Sequence, residues 1–343
     1  MNRLQYLIHR LLLLGVSFMG ILLVSFLFTQ IVPGGPVEQR IAEMRGDGKG
    51  GMASEVLSEE QIEAIYRTYH LDKPPLVQFK IWLVDDFFGM QRKSYKFTHK
   101  TSWEMIKERF PVSLSFGIPS LILTYVICVP LGIAKALKNG KAFDLISSIV
   151  VFTLYALPAF AFGMLLKLAF AGITDQSFDW FPLGGFRSQG FENLSFWEQV
   201  KDQVWHMTLP VTCYIIGNFA VTTLLMKNSL LEQISQDYVR TVLAKGATVK
   251  QAVWRHAFRN SLIPIATGIG GILTVMFAGS VLIEQVFNIP GIGQMSLEAL
   301  RGRDYPVFLG IVCLQSILGL VGQLLTDFCY MFIDPRMDFG GQK

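Results

Sequence analysis

The chain of 343 residues is 51% hydrophobic and 16% charged, with a mean hydropathy of +0.42, whereas soluble domains run at about 45–50% apolar and about 25% charged. So little charge excludes an ordinary soluble enzyme of this length and implies a surface that faces lipid. The formal net charge of +4 is too small and too scattered for a nucleic-acid partner, and Cys128, Cys213, Cys313 and Cys329 lie in apolar runs without metal or redox spacing.

Six runs approach the roughly 20 apolar residues that a spanning helix needs: residues 11–32, 112–134, 145–171, 207–226, 262–283 and 307–333. The first comes after Arg3 and Arg10 as a secretory signal would, but it exceeds the roughly 7–15 residues of a signal core. It ends in Ile31-Val32-Pro33-Gly34 and reads as a retained span.

Residues 33–110 contain no span. Ser58-Glu59-Glu60-Gln61 ahead of Ile62, Ile65, Tyr66 and Tyr69 predicts a capped amphipathic helix ending at Pro74-Pro75. Leu76, Phe79, Ile81, Trp82 and Leu83 predict a second apolar-faced segment, and the glycine-rich stretch from Arg45 to Gly51 predicts a loop. This segment is expected to be a small external subdomain on the membrane surface, the plainer alternative being a linker.

Lys and Arg set the orientation. Arg3, Arg10, Lys135, Lys138, Lys141 and the basic residues of 227–260 fall on one side, while the short loops opposite carry only Arg187, Lys201, Arg301 and Arg303. Both termini are therefore expected in the cytoplasm. The predicted organisation is an N-terminal span over 1–32, the external insertion over 33–110, a five-helix core over 111–333 and a cytoplasmic tail over 334–343.

The inner segment 227–260 carries the most information. Ser235 or Asp237 can cap a short helix, Gly246 can supply a left-handed exit, and a second helix is expected from Thr248 to the residue before Pro264. On it Val249, Val253 and Ala257 form one stripe, with Arg255 and Arg259 on another face. Taken alone, such a stretch also suits an ordinary basic inner loop.

The run Tyr238-Val-Arg-Thr-Val-Leu-Ala-Lys-Gly246, continuing through Arg255-His-Ala-Phe-Arg-Asn260 to Pro264, resembles the "EAA" loop of binding-protein-dependent ABC importers in its peptide-permease form. Arg240-Thr241-Val242 stand where that family has Glu-Ala-Ala. Pro130-Leu-Gly-Ile133, Tyr155-Ala-Leu-Pro158, Gly279 to Phe287, Pro290-Gly-Ile-Gly293, Arg303-Asp-Tyr-Pro306 and Asp334-Pro-Arg336 extend the likeness to B-type dipeptide/oligopeptide permeases. Asp179-Trp-Phe-Pro-Leu183 and Trp205-His206 resemble the Yej-type branch, associated with oligopeptides and microcin C-like compounds.

The resemblance implies an all-α integral membrane protein of the type I ABC importer permease fold in a bacterial inner membrane. It implies a second homologous permease, two ATPase subunits or one fused double ATPase, and a periplasmic solute-binding protein. ATP and Mg would be bound by the ATPase partners, with no cofactor in this chain. Tyr238, Val239, Thr241, Ala244, Lys245, Gly246 and Ala247 would contact the ATPase, and Glu284 would serve as an outer gate or substrate contact.

No GxxxxGK[ST], HExxH or GxSxG occurs, so no catalytic residue is expected. The glycines of Gly268-Ile-Gly270-Gly271 read as helix-packing positions. An ion-coupled secondary transporter would place paired ionisable groups at mid-membrane. The sequence offers Lys167, placed to snorkel, and Glu284 near an outer edge, and Asp327 near the inner end without an evident partner. That carrier, and an ABC permease for nickel or a glycoconjugate, are the alternatives to a peptide importer.

Overall fold

The computed structural model describes residues 3–31, 63, 67, 72–84, 93–97, 99–174, 178–277 and 280–333. In chain order its helices are α1 (Arg3–Ile31), α2 (Pro75–Ile81), α3 (Ser102–Leu137), α4 (Ala142–Ala156), α5 (Ala159–Phe170), α6 (Phe196–Ser235), α7 (Asp237–Ala244), α8 (Val249–Ala252), α9 (Phe258–Phe277), α10 (Val281–Val286), α11 (Ile292–Arg301) and α12 (Tyr305–Ile333). A π turn over Val253–Ala257 joins α8 to α9.

Residues 8–31 of α1, all of α3 and α6, and residues 305–329 of α12 are long and apolar enough to cross a membrane. The 36 residues of α3 and 40 of α6 extend to about 54 and 60 Å, well beyond a hydrocarbon core of about 30 Å, so their ends reach past it. Pro111, Pro119 and Pro130 lie inside α3 and Pro210 inside α6. Long membrane helices tolerate such residues because neighbours take up the freed carbonyls. The start of α6 is fixed by a capping box, Ser195 N–H and Oγ both donating to Glu198.

Several expected boundaries change. The run 145–171 is two helices, α4 and α5, bent by 97° at Leu157-Pro158. Pro158 has no N–H to continue the ladder and disfavours helical geometry at Leu157. The run 262–283 divides as well, α9 ending at Phe277 and α10 starting after Ser280, whose Oγ caps Ile283 N–H. Helix α3 begins at Ser102, inside the range expected for the external insertion. Pro264 does not end a helix, since α9 runs through it.

The chain forms two compact units. One comprises residues 1–9, 110–294 and 317–343 and contains two apolar cores. The core nearer the expected outer side gathers Val112, Phe116, Leu209, Cys213, Tyr214, Ile283, Phe287 and Ile289. The other gathers Ile133, Ala136, Met226, Leu230, Val239, Ala252, Val253, Ala257 and Ile265. In the same unit α9 and α12 cross with their backbones in contact. A Cβ on Gly322 would lie 2.6 Å from Gly270 O, and one on Gly270 would fall on Gly322 O, as the packing reading of Gly270 requires.

The second unit comprises residues 10–109 and 295–316. Trp82, predicted on an apolar-faced segment, is buried there with Leu22, Phe26, Leu309 and Cys313. Asp304 accepts from Ser94 Oγ and, at 3.0 Å, from Tyr95 N–H. Of the expected helix before Pro74, Glu63 and Arg67 are helical and pair at 2.7 Å. Its apolar positions, the Arg45 loop and the 334–343 tail lie outside the described residues.

Candidate functional site

Two regions of the first unit hold the candidate residues. The end bearing α7 is the one that the charge pattern assigns to the cytoplasm.

Neither Ser235 nor Asp237 caps α7. Its N-cap is Gln236, with no side-chain cap, and Ser235 Oγ donates back to Glu232 O. Asp237 instead occupies the first turn, where its negative charge suits the helix dipole. The carboxyl end matches the sequence closely. Gly246 has φ +89°, its N–H donates to Leu243 O at 2.9 Å, and Ala247 N–H donates to Val242 O at 3.3 Å. That pair is a Schellman closure, which glycine adopts without strain from a β-carbon.

The surface of α7 is open. Tyr238, Thr241, Ala244, Lys245 and Gly246 are exposed and Ala247 is half-buried. Val239, however, is 1% exposed and lies in the inner core. Of the residues expected to contact an ATPase, it is the one that faces the inner core. Tyr238 adds a polar tie, its hydroxyl donating to Gln233 Oε1 at 2.8 Å and accepting from Asn260 Nδ2 at 3.2 Å.

Thr248 opens α8 as predicted, through a capping box with Gln251. The expected stripe is only partly realised. Val253 and Ala257 are buried, but Val249 is 66% exposed and Ala252 takes the inward position. The first turn of α8 projects clear of the core, and the π turn adds a residue that shifts the register of α9. Arg255 and Arg259 are exposed.

At the other end of this unit Glu284 is 1% exposed. Ser113 Oγ donates to its Oε1 at 3.0 Å and Gln294 N–H to its Oε2 at 2.7 Å, while Ile292 N–H donates to Ser113 Oγ at 2.8 Å. The carboxylate thus sits at the N-terminus of α11, where helix amides favour negative charge. A Cβ on Gly291 would fall on Glu284 Oε1, which explains a glycine in Pro290-Gly-Ile-Gly293. Expected at the outer edge, the side chain is folded inside the protein, holding the turn between α10 and α11.

Lys167 does not simply snorkel. Its ammonium donates to Val286 O at 2.7 Å, at the carboxyl end of α10, where positive charge complements the dipole. Asp327 is buried and does have an interaction partner. Sequence reasoning also missed a buried ionic cluster. Lys135 Nζ lies 3.1 Å from Asp144 Oδ1, and Lys227 Nζ lies 2.8 Å from both Asp144 oxygens. The only signal was the presence of three charges beside apolar runs.

Residues 128–339 match the family described as "Binding-protein-dependent transport system inner membrane component". The chain belongs to this family. It is 36% identical to the "Peptidoglycan transport system permease protein YejB" of Agrobacterium fabrum, covering 97% of this chain and 98% of that one. It is also 36% identical to the "Inner membrane ABC transporter permease protein YejB" of Escherichia coli O157:H7, over 98% and 99%. The "Dipeptide transport system permease protein DppB" of Escherichia coli K12 is 31% identical, over 97% and 98%. Among solved structures, the inward-facing MetNI methionine ABC transporter matches with a TM-score of 0.50 at 16% identity, covering 68% of this chain and 97% of that one. The fold is that of a type I ABC importer permease. The chain is a transport component of the inner membrane, which decides against an ion-coupled carrier.

Proposed function

We propose that the chain is the permease subunit of an ATP-driven importer of oligopeptides or peptide-like compounds delivered by a periplasmic solute-binding protein. It pairs with a second homologous permease, and two ATPase subunits, or one fused double ATPase, dock on α7 and its exit turn. ATP and Mg are held by those partners, and this chain carries out no bond chemistry. On this reading the segment between α1 and α3 lies outside the membrane.

The observation that carries the docking assignment is the form of α7, exposed along Tyr238, Thr241, Ala244 and Lys245 yet anchored by Val239. A short helix held at one face and open at the other can be pushed by a partner and pass that displacement inward. Nucleotide-driven closure then favours one of two arrangements of the spans through differential contacts. A peptide cargo is supported by the dipeptide name of one relative and the peptidoglycan name of another.

Thr241→Cys tests the docking. In the assembled complex it is expected to cross-link to an ATPase subunit, and failure to do so from an intact complex would sink the assignment. Uptake into proteoliposomes of oligopeptides, of peptide-bearing glycan fragments and of nickel separates the cargo classes, with uptake of either peptide-containing class expected and uptake of nickel alone refuting the reading.

A further inference from the structure

The buried ionic cluster joins three helices at the inner end, beside the core that anchors α7. Lys135, 0% exposed in the last turn of α3, donates to Asp144 O at 3.0 Å, Ser147 Oγ at 2.9 Å and Ser148 Oγ at 2.7 Å. Asp144, in the first turn of α4, accepts from Lys227 of α6 at 2.8 Å on each carboxylate oxygen and from Gly140 N–H at 3.1 Å, with Lys135 Nζ 3.1 Å from its Oδ1. The lysines alternate with core residues along their helices, Lys135 between Ile133 and Ala136, and Lys227 between Met226 and Leu230.

Helix α4 is attached differently. None of its residues belongs to the inner core cluster; Leu145, Ile146, Ile149, Val150 and Phe152 point outward, and Val151 is buried farther along the helix. Its inner end is held by charge. Beyond the break at Leu157-Pro158, α5 packs on the outer core, with Gly163 against Phe287.

We infer that Asp144, gripped by Lys135 and Lys227, is the positioning residue that carries displacement of α7 into the broken pair α4–α5. The apolar core moves α3 and α6 when α7 moves. The shared carboxylate makes α4 move with them, because separating it from the buried Lys135 and half-buried Lys227 ammonium groups would leave uncompensated charge. This inference rests on the docking role proposed for α7.

The test uses the complete complex, with its partner permease, ATPases and binding protein, in proteoliposomes, and reads ATP hydrolysed per substrate imported. Asp144→Asn is expected to raise that ratio about tenfold, the scale of a typical coupling free energy, while Asp144→Glu, which keeps the charge, stays near the wild-type ratio. An assembled Asp144→Asn complex with the wild-type ratio would overturn the inference.

Spin labels at Leu145→Cys and Leu243→Cys, both exposed, provide an independent measurement should Asp144→Asn fail to assemble. Their distance is expected to stay constant between nucleotide-free and ATP-trapped states, and to change between states when Lys227→Met is added. A distance that already changes without Lys227→Met overturns the inference. If Thr241→Cys cross-links to the ATPase and either of these results is negative, only the link through Asp144 falls; if Thr241→Cys does not cross-link, the docking assignment itself falls.

Discussion

Glu284 and Asp144 are both buried carboxylates in the same compact unit, yet their surroundings differ. Glu284 receives a hydroxyl and a helix-terminal amide from segments that adjoin one turn, which fixes the shape of that turn. Asp144 receives ammonium groups from two other helices, which ties the inner ends of α3, α4 and α6 together. Both carboxylates bridge segments far apart in the chain, but Glu284 does so through a hydroxyl and an amide at one turn, and Asp144 through charge shared among three helices.

The largest effect that would break this comparison is expected at Asp144. Asp144→Ala leaves two lysines facing each other in a buried site and should destabilise by about 4 kcal/mol, read as a lowered Tm in detergent. Glu284→Ala orphans two donors and should cost about 3 kcal/mol. If Glu284 acts on the turn alone, that variant, where it assembles, keeps the wild-type ratio of ATP hydrolysed to substrate imported.

Gly291→Ala sharpens the outer half of the comparison. The added methyl falls on the Glu284 carboxylate, and overpacking of this kind should cost about 2 kcal/mol. An unchanged Tm would show that the carboxylate has room to withdraw.

Gly246→Ala should be milder, at about 1 kcal/mol, because space around it is open and only its left-handed backbone resists a side chain. Its signature is expected in coupling, with ATP hydrolysis retained and uptake reduced. Replacing Arg240, whose contact with Asp237 at 3.4 Å is wholly on the surface, should leave Tm unchanged.

Local chemistry made parts of this architecture legible in advance. Hydropathy located the apolar runs because the bilayer demands about 20 residues of them, and Gly246 and Thr248 declared a turn through capping rules that need no tertiary information. The break at Pro158 was not anticipated, since hydropathy reads 145–171 as one span, and its 97° bend accompanies the packing of α5 against the outer core. Glu284 illustrates the limit of local reading: its exposure was decided by Ser113, 171 residues away. Likewise Lys227 and Asp144 are 83 residues apart, and each alone looks like an ordinary inner-edge charge. The burial of Val239 was signalled by Val239, Val242 and Leu243 at i, i+3 and i+4 on α7, a stripe that the contact role implied by the resemblance obscured.

The meeting of α9 and α12 at Gly270 and Gly322 has a mechanical meaning. Helices locked by interdigitating side chains resist both sliding and rotation, whereas helices whose backbones meet at glycines, here with the small Thr326 side chain beside them, resist approach but offer less torque against swivelling. In a transporter that must present its path first to one side and then to the other, that contact is suited to be a pivot, where one helix can swing against the other without emptying or crowding a packed core.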